Sequence, residues 1–188
     1  MIALLSRFIL WLAGWKVVYD VPHEYRQFVL IMAPHTSNWD FLVGRLALWS
    51  LRLKAFFLIK KEAFFFPLGP IVKAVGGIPV DRAHGNNVVS EVAEIFRKNP
   101  IMVITITPEG TRSLRRNWKR GFWYIARQAQ VPVVMGYLDY GKKVAGVHRV
   151  FWPSESYEQD LVMISDFYRN ITARHPEKFN LSPVNRKE

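Results

Sequence analysis

The sequence predicts an α/β fold: a single layered domain with a largely parallel central sheet flanked by helices, plus an amphipathic N-terminal helix. Three observations predict it. Short, continuous apolar runs recur along the chain and read as strands buried on both faces. Stretches with helical spacing of apolar residues alternate with them. Polar, turn-rich motifs stand directly after several of the runs, where the loops at the carboxyl ends of parallel strands gather ligands.

Residues 1–16 are read as an amphipathic helix, whose first fifteen residues are apolar but fall short of the roughly 20 that cross a hydrocarbon core as a helix. Met1–Ser6 carries no basic residue, and no small-residue cleavage site precedes Trp15, so a cleaved leader is not expected. Two readings stay open. A helix lies in a membrane interface, with Leu4, Leu5, Phe8, Trp11, Leu12 and Trp15 inserted and Arg7 and Lys16 on headgroups, or it packs on the domain.

FVLIMA at 28–33 is the first strand, and a helix capped by Ser37 or Asn38 follows, with Asp40 in its first turn and Phe41, Leu42, Leu46 and Trp49 as its apolar stripe. Strands are expected at 55–60, 77–80, 101–106, 131–140 and 142–151. Helices are expected at 67–75, 86–99 and near 118–129, and a long helix from Ser154 closes the chain. No linker or repeat divides residues 1–188, which are read as one domain.

Lys and Arg number 26 against 15 Asp and Glu, a formal charge of +11 that favours anionic partners: nucleic acid, an anionic membrane face, or phosphorylated substrates and carriers. Seven Trp and thirteen Phe beside that charge suit a bilayer interface. No recognised nucleic-acid-binding motif is present, and the charge is spread along the chain, so nucleic acid is not expected. Cysteine is absent, which removes disulfides, thiolate metal sites and a cysteine nucleophile. No His cluster has metal-ligand spacing, so no metal is expected.

His35 ends the first strand and Asp40 lies five residues on, in the first turn of the next helix. A carboxylate on one imidazole nitrogen fixes the tautomer and leaves the other nitrogen to take a proton, which is how a hydroxyl is activated. After the strand at 101–106 comes TPEGTRS at 107–113, where Gly110 exposes backbone amides and Arg112 offers a rigid fork of donors suited to phosphate. Arg82 closes another strand and could join this cradle, and Lys60 or Lys61 could add a point charge. Glu109 could orient Arg112 or accept from a substrate hydroxyl. The basic run at 112–123 has three readings: headgroup docking, capture of an acidic carrier or of CoA phosphates, or a solvated helix start. Trp118 and Trp123 favour the first.

Four ordered blocks, HTSNWD (35–40), GGIPVDR (76–82), PEGTRS (108–113) and VPV (131–133), resemble those of the glycerolipid acyltransferases, whose best-known members are the 1-acyl-glycerol-3-phosphate acyltransferases. The resemblance spans about residues 28–140. It implies that His35 deprotonates the acceptor hydroxyl, that Asp40 orients His35, and that the attacking oxygen displaces the thiol of acyl-CoA or acyl carrier protein without an acyl-enzyme. Arg82, Glu109, Gly110, Thr111 and Arg112 would hold the acceptor's phosphate, with Lys60 matching a family lysine nearby. Val131–Val133 would serve packing. Two positions depart from the pattern: Pro34 stands where many members have Asn, and Thr107 where many have Phe.

The expected activity is therefore acyl transfer to lysophosphatidic acid or a related lysolipid at the cytoplasmic face of an anionic membrane, with no cofactor beyond the thioester co-substrate. The alternatives are the same chemistry on another lyso-acceptor, such as an amino-acid lipid, and a non-catalytic basic membrane-binding protein.

Overall fold

The computed structural model describes residues 1–81, 85–115 and 117–181. Its strands are β1 (Lys16–Tyr19), β2 (Gln27–Met32), β3 (Ala55–Lys60), β4 (Gly77–Val80), β5 (Met102–Ile106), β6 (Val133–Asp139) and β7 (Val144–Phe151). Its helices are α1 (Ile2–Leu12), α2 (Asn38–Ser50), α3 (Leu68–Ala74), α4 (Gly85–Lys98), α5 (Gly121–Ala129) and α6 (Tyr157–Tyr168).

The strands form one sheet in the order β1-β7-β6-β2-β5-β3-β4, and only the β6–β7 pairing is antiparallel. The mostly parallel sheet anticipated from the apolar runs is thus present. Its central strands are apolar throughout because both faces are covered. On β2, Val29 and Ile31 enter the core under α4, α5 and α6, while Phe28 and Leu30 enter a second core that includes Leu48 of α2. On β5, Met102 and Ile104 take the first side and Val103 the second. The strand period of two sorts the residues between the layers.

Several expectations need correction. β1 was not foreseen; it is a four-residue edge strand paired in parallel with β7. α1 stops at Leu12, short of Trp15, because Gly14 adopts a left-handed φ of +76° and the Trp15 N–H bonds back to the Leu10 carbonyl at 2.8 Å. α2 buries Asp40, Gly44, Arg45, Ala47 and Leu48, whereas Phe41 and Leu42 of the expected stripe are exposed. α6 is shorter than the anticipated closing helix. Its last residue, Tyr168, is fully buried, and its hydroxyl donates to the carbonyls of Ile31 and Gly136 at 3.0 and 2.9 Å. The chain then turns so that the Thr172 carbonyl accepts from Tyr140 N–H at 2.9 Å and His175 N–H donates to Thr36 Oγ1 at 3.2 Å. These tertiary bonds outweigh helical propensity and return the segment to the carboxyl end of β2.

Trp118 and Trp123 are also placed differently from the headgroup-docking reading. Both are buried, with indole N–H groups donating to the Asn180 carbonyl at 3.0 Å and to Asp160 Oδ2 at 2.7 Å. α1, by contrast, packs on the domain as one of its two readings has it. It packs on α2 through Leu10 and Ser6, and Arg7 Nε donates to the Ser50 carbonyl at 3.2 Å. Leu4, Leu5, Phe8, Trp11 and Leu12 remain exposed. Trp15 instead packs edge-on against Tyr140, with ring centroids 5.0 Å apart. No helix among the described residues is long and apolar enough to cross a membrane.

Candidate functional site

The site lies where β2 hands over to α2. Ser37 caps α2, accepting from Trp39 N–H at 3.2 Å, and Asp40 reaches back to accept from Ser37 N–H at 2.8 Å. The same carboxylate oxygen accepts from Thr36 N–H at 2.7 Å and stands 3.4 Å from His35 Nδ1. Two backbone donors therefore fix Oδ2 in place, and His35 meets an acceptor whose position does not depend on it. The other oxygen, Oδ1, accepts from the Tyr140 hydroxyl at 2.7 Å. Burial alone would raise the Asp40 pKa, but the bonds from His35, Tyr140, Ser37 and Thr36 outweigh it and hold the carboxyl below its usual range. Burial, and then the bond to Asp40, holds the Tyr140 hydroxyl well above its ordinary value, so it donates and does not ionise.

Tyr140 was not singled out in the sequence, nor was Arg174, whose guanidinium sits 5.7 Å from the Tyr140 ring centroid and 5.4 Å from that of Trp39. Both come from the far end of the chain, at the end of β6 and beyond α6, and no local spacing ties them to Asp40.

Glu109 belongs to the same constellation in a way the sequence did not suggest. Its Oε1 accepts from His35 N–H at 2.6 Å, and the side chain is buried beneath the histidine, away from the cavity wall that Gly110 and Arg112 line. Burial raises its pKa to about 8, and the charge on Asp40 adds to the rise despite the opposing bond from His35. At neutral pH the carboxyl is mostly protonated, so it ties the two loops together without placing a full negative charge under the imidazole.

The opening beside His35 is a cavity of about 460 Å³. His35, Asp40, Gly110, Arg112 and Lys119 stand in its wall, so the imidazole and the guanidinium open into one space. Arg112 is exposed and donates to the side-chain oxygen of Asn38 in the first turn of α2. Gly110 has a φ of +68°, and an added Cβ would stand 2.8 Å from a carbon of the Lys119 side chain. Absence of a side chain there lets Lys119 lie across the loop. Lys119 was seen only as part of the basic run.

Other proposed phosphate contacts are placed differently. Lys60 is exposed at the end of β3, paired in register with Val80, and forms no part of the cavity wall. Lys61 donates to Asp81 at 2.5 Å. Thr111 Oγ1 accepts from Ser113 N–H at 3.3 Å within its own loop and is likewise absent from the wall. Arg82 lies outside the described residues.

Past the polar mouth the cavity is apolar and wraps the carboxyl ends of β3 and β5. Phe57 and Leu48 line it on the α2 side of the sheet; Leu58, Val80, Val88 and Phe122 line it on the other. An imidazole, the side chains of Arg112 and Lys119 and an apolar space thus meet in one cavity. That combination can hold an amphiphile with its charged group outward and a hydroxyl at His35.

The fold is similar to that of the crystal structure of the 1-acyl-sn-glycerophosphate (LPA) acyltransferase PlsC from Thermotoga maritima. The TM-score is 0.61 at 18% sequence identity, covering 88% of this chain and 74% of that one. No curated protein matches the chain significantly. The Acyltransferase family model matches residues 18–136, which take in β2, α2, the turn after β5 and the start of β6. With well over half of the chain matched across the elements that build the His35 cavity, the protein belongs to the Acyltransferase family.

Proposed function

We propose that the protein transfers a fatty acyl group from acyl-CoA or acyl carrier protein to the hydroxyl of lysophosphatidic acid or a related lysolipid. The observation that carries this reading is the shared cavity: His35 and Arg112 face one space that continues into an apolar interior.

With Nδ1 turned to Asp40, His35 Nε2 takes the proton of the acceptor hydroxyl as the oxygen attacks the thioester carbonyl. The resulting tetrahedral oxyanion collapses, the carbon–sulfur bond breaks, and the imidazolium gives its proton to the departing sulfur. Ester and thiol are the products, and His35 ends neutral. Asp40 stabilises the imidazolium; Tyr140 and the two backbone donors keep Asp40 ionised and aimed. Arg112 and Lys119 supply charge for the acceptor's phosphate at the mouth, and a chain in the apolar space holds the reacting carbon near His35. No side chain need be acylated.

The exposed apolar face of α1 supports a peripheral seat on the cytoplasmic face of an anionic membrane, where both lipid acceptor and product reside. The test is to incubate purified protein with acyl-CoA and with acyl carrier protein against a panel of lyso-acceptors, and to identify the acylated product by mass spectrometry. Acylated lysophosphatidic acid is expected. Acylation of an amino-acid lipid alone would move the reading to the second acceptor class, and no product from any pairing would remove it.

A further inference from the structure

Inside the apolar part of the cavity, on the α2 side of the sheet, two buried polar groups have an unmet hydrogen-bonding atom. Arg45 is 8% exposed and Thr105 6% exposed. Arg45 Nη1 donates to the Ala55 carbonyl at 2.9 Å, but its Nε has no partner. Thr105 Oγ1 also has none. No carboxylate pairs with Arg45 among the described residues. Both residues line the cavity.

The two are neighbours through Phe57. Its ring centroid lies 5.4 Å from the Arg45 guanidinium carbon, and β3–β5 register sets Phe57 opposite Thr105. Trp49 holds the other contact, 4.5 Å from the same carbon. A planar cation held against two aromatic rings is fixed in orientation. Asp40, Phe41, Gly44, Arg45 and Leu48 follow one face of α2 into the cavity, which sets Arg45 about 7.5 Å along the helix axis from Asp40.

An unsatisfied buried donor is costly, more so on a charged group, and an unsubstituted alkyl chain packed here would leave the cost in place. A chain carrying an oxygen at this depth would meet it. Among the described residues, the opposite side of the cavity is lined by the apolar side chains of Val80, Val88, Val89, Phe122 and Ile125 and suits a plain chain.

We propose that Arg45 and Thr105 form a subsite that receives an oxygen-bearing group, hydroxyl or carboxylate, carried on a substrate's hydrocarbon chain. This rests on the reading of the cavity as the substrate chamber. It makes Arg45 a specificity-determining residue for a functionalised chain.

Two matched series test it: acyl thioesters, and lysophosphatidic acids, each with a hydroxyl walked along the chain and an unsubstituted parent. In one series, one hydroxyl position should give a kcat/KM about tenfold above the parent, and the series that shows it names the chain involved. Arg45→Met should erase the preference and Thr105→Val should reduce it about threefold. No preference at any position, or one that survives Arg45→Met, overturns the proposal.

Calorimetric titration with decanoate separates this from the fate of the transferase reading. Its carboxylate should bind wild type about tenfold more tightly than Arg45→Met. Binding weakened by Arg112→Met and untouched by Arg45→Met overturns the subsite. Arg45-dependent binding without any acyl transfer leaves the subsite standing and removes the transferase reading.

Discussion

The hydroxyl of Tyr140 stands 2.7 Å from Oδ1 of Asp40, across a hundred residues of sequence, and completes the carboxylate that faces His35. Its loss removes a hydrogen bond to a buried charged group, a loss on the order of 1.5–3 kcal/mol. Because the lowered Asp40 pKa is partly its doing, the stability it supports is fully present above the unfolded carboxyl's value of 3.8 and fades as pH falls through the lower folded value. Tyr140→Phe should therefore be less stable than wild type at neutral pH, with a gap that narrows on acidification, as chemical denaturation at several pH values would show. Its kcat should fall with little change in KM, because substrate contacts remain. Equal stability across the range would contradict the assignment.

Glu109 gives the opposite sign. Its folded pKa of about 8 lies above its ordinary 4.5, so the native state binds the proton more tightly than the unfolded chain does. Stability should decline as pH rises from about 4.5 to about 8 and level off beyond. Glu109→Gln keeps a side-chain oxygen for the His35 N–H and removes the titration. The variant's thermal midpoint should lose that decline, and should match or exceed wild type above neutrality.

Arg112→Met should raise the apparent KM for a phosphate-bearing acceptor while leaving kcat within a few-fold, since the guanidinium acts by binding rather than by proton transfer. An acceptor without phosphate should show no such change. Steady-state kinetics on the two acceptors decide the matter.

Two tryptophans distinguish core from surface. Trp118→Ala should cost on the order of 3–5 kcal/mol, because the ring is buried against Tyr168 and Phe179. Trp11→Ala should leave the thermal midpoint nearly unchanged and weaken sedimentation with anionic vesicles, because the ring is exposed on the outer face of α1. Vesicle binding unaffected by Trp11→Ala would argue against a membrane role for this face.

Local patterns made much of this architecture legible. β3 and β4 occupy the residues expected of them because continuous apolar runs bounded by turns have few other uses in a parallel sheet. β1 escaped notice because four residues on a sheet edge, half of them exposed, carry too little pattern. Within the site, His35, Asp40 and Arg112 announce themselves by residue type and by position after strands. Tyr140 and Glu109 do not, since what they bond to is fixed only by tertiary packing. Arg45 is a further case: in sequence it is one basic residue in an apolar helix, and its burial with no paired carboxylate among the described residues is seen only in the fold. Trp118 misled for the same reason, as Trp beside Arg reads alike on a membrane face and in a core with a carbonyl for its N–H.

The proposed chemistry depends on the imidazole of His35 taking a proton from an acceptor hydroxyl. The most direct measurement compares acyl transfer by wild type and His35→Ala on a lysophosphatidic acid acceptor, with circular dichroism and thermal midpoints taken in parallel. The fold should be retained and the rate lowered about 10²–10⁴-fold. A folded His35→Ala protein that transfers acyl groups at the wild-type rate would contradict it.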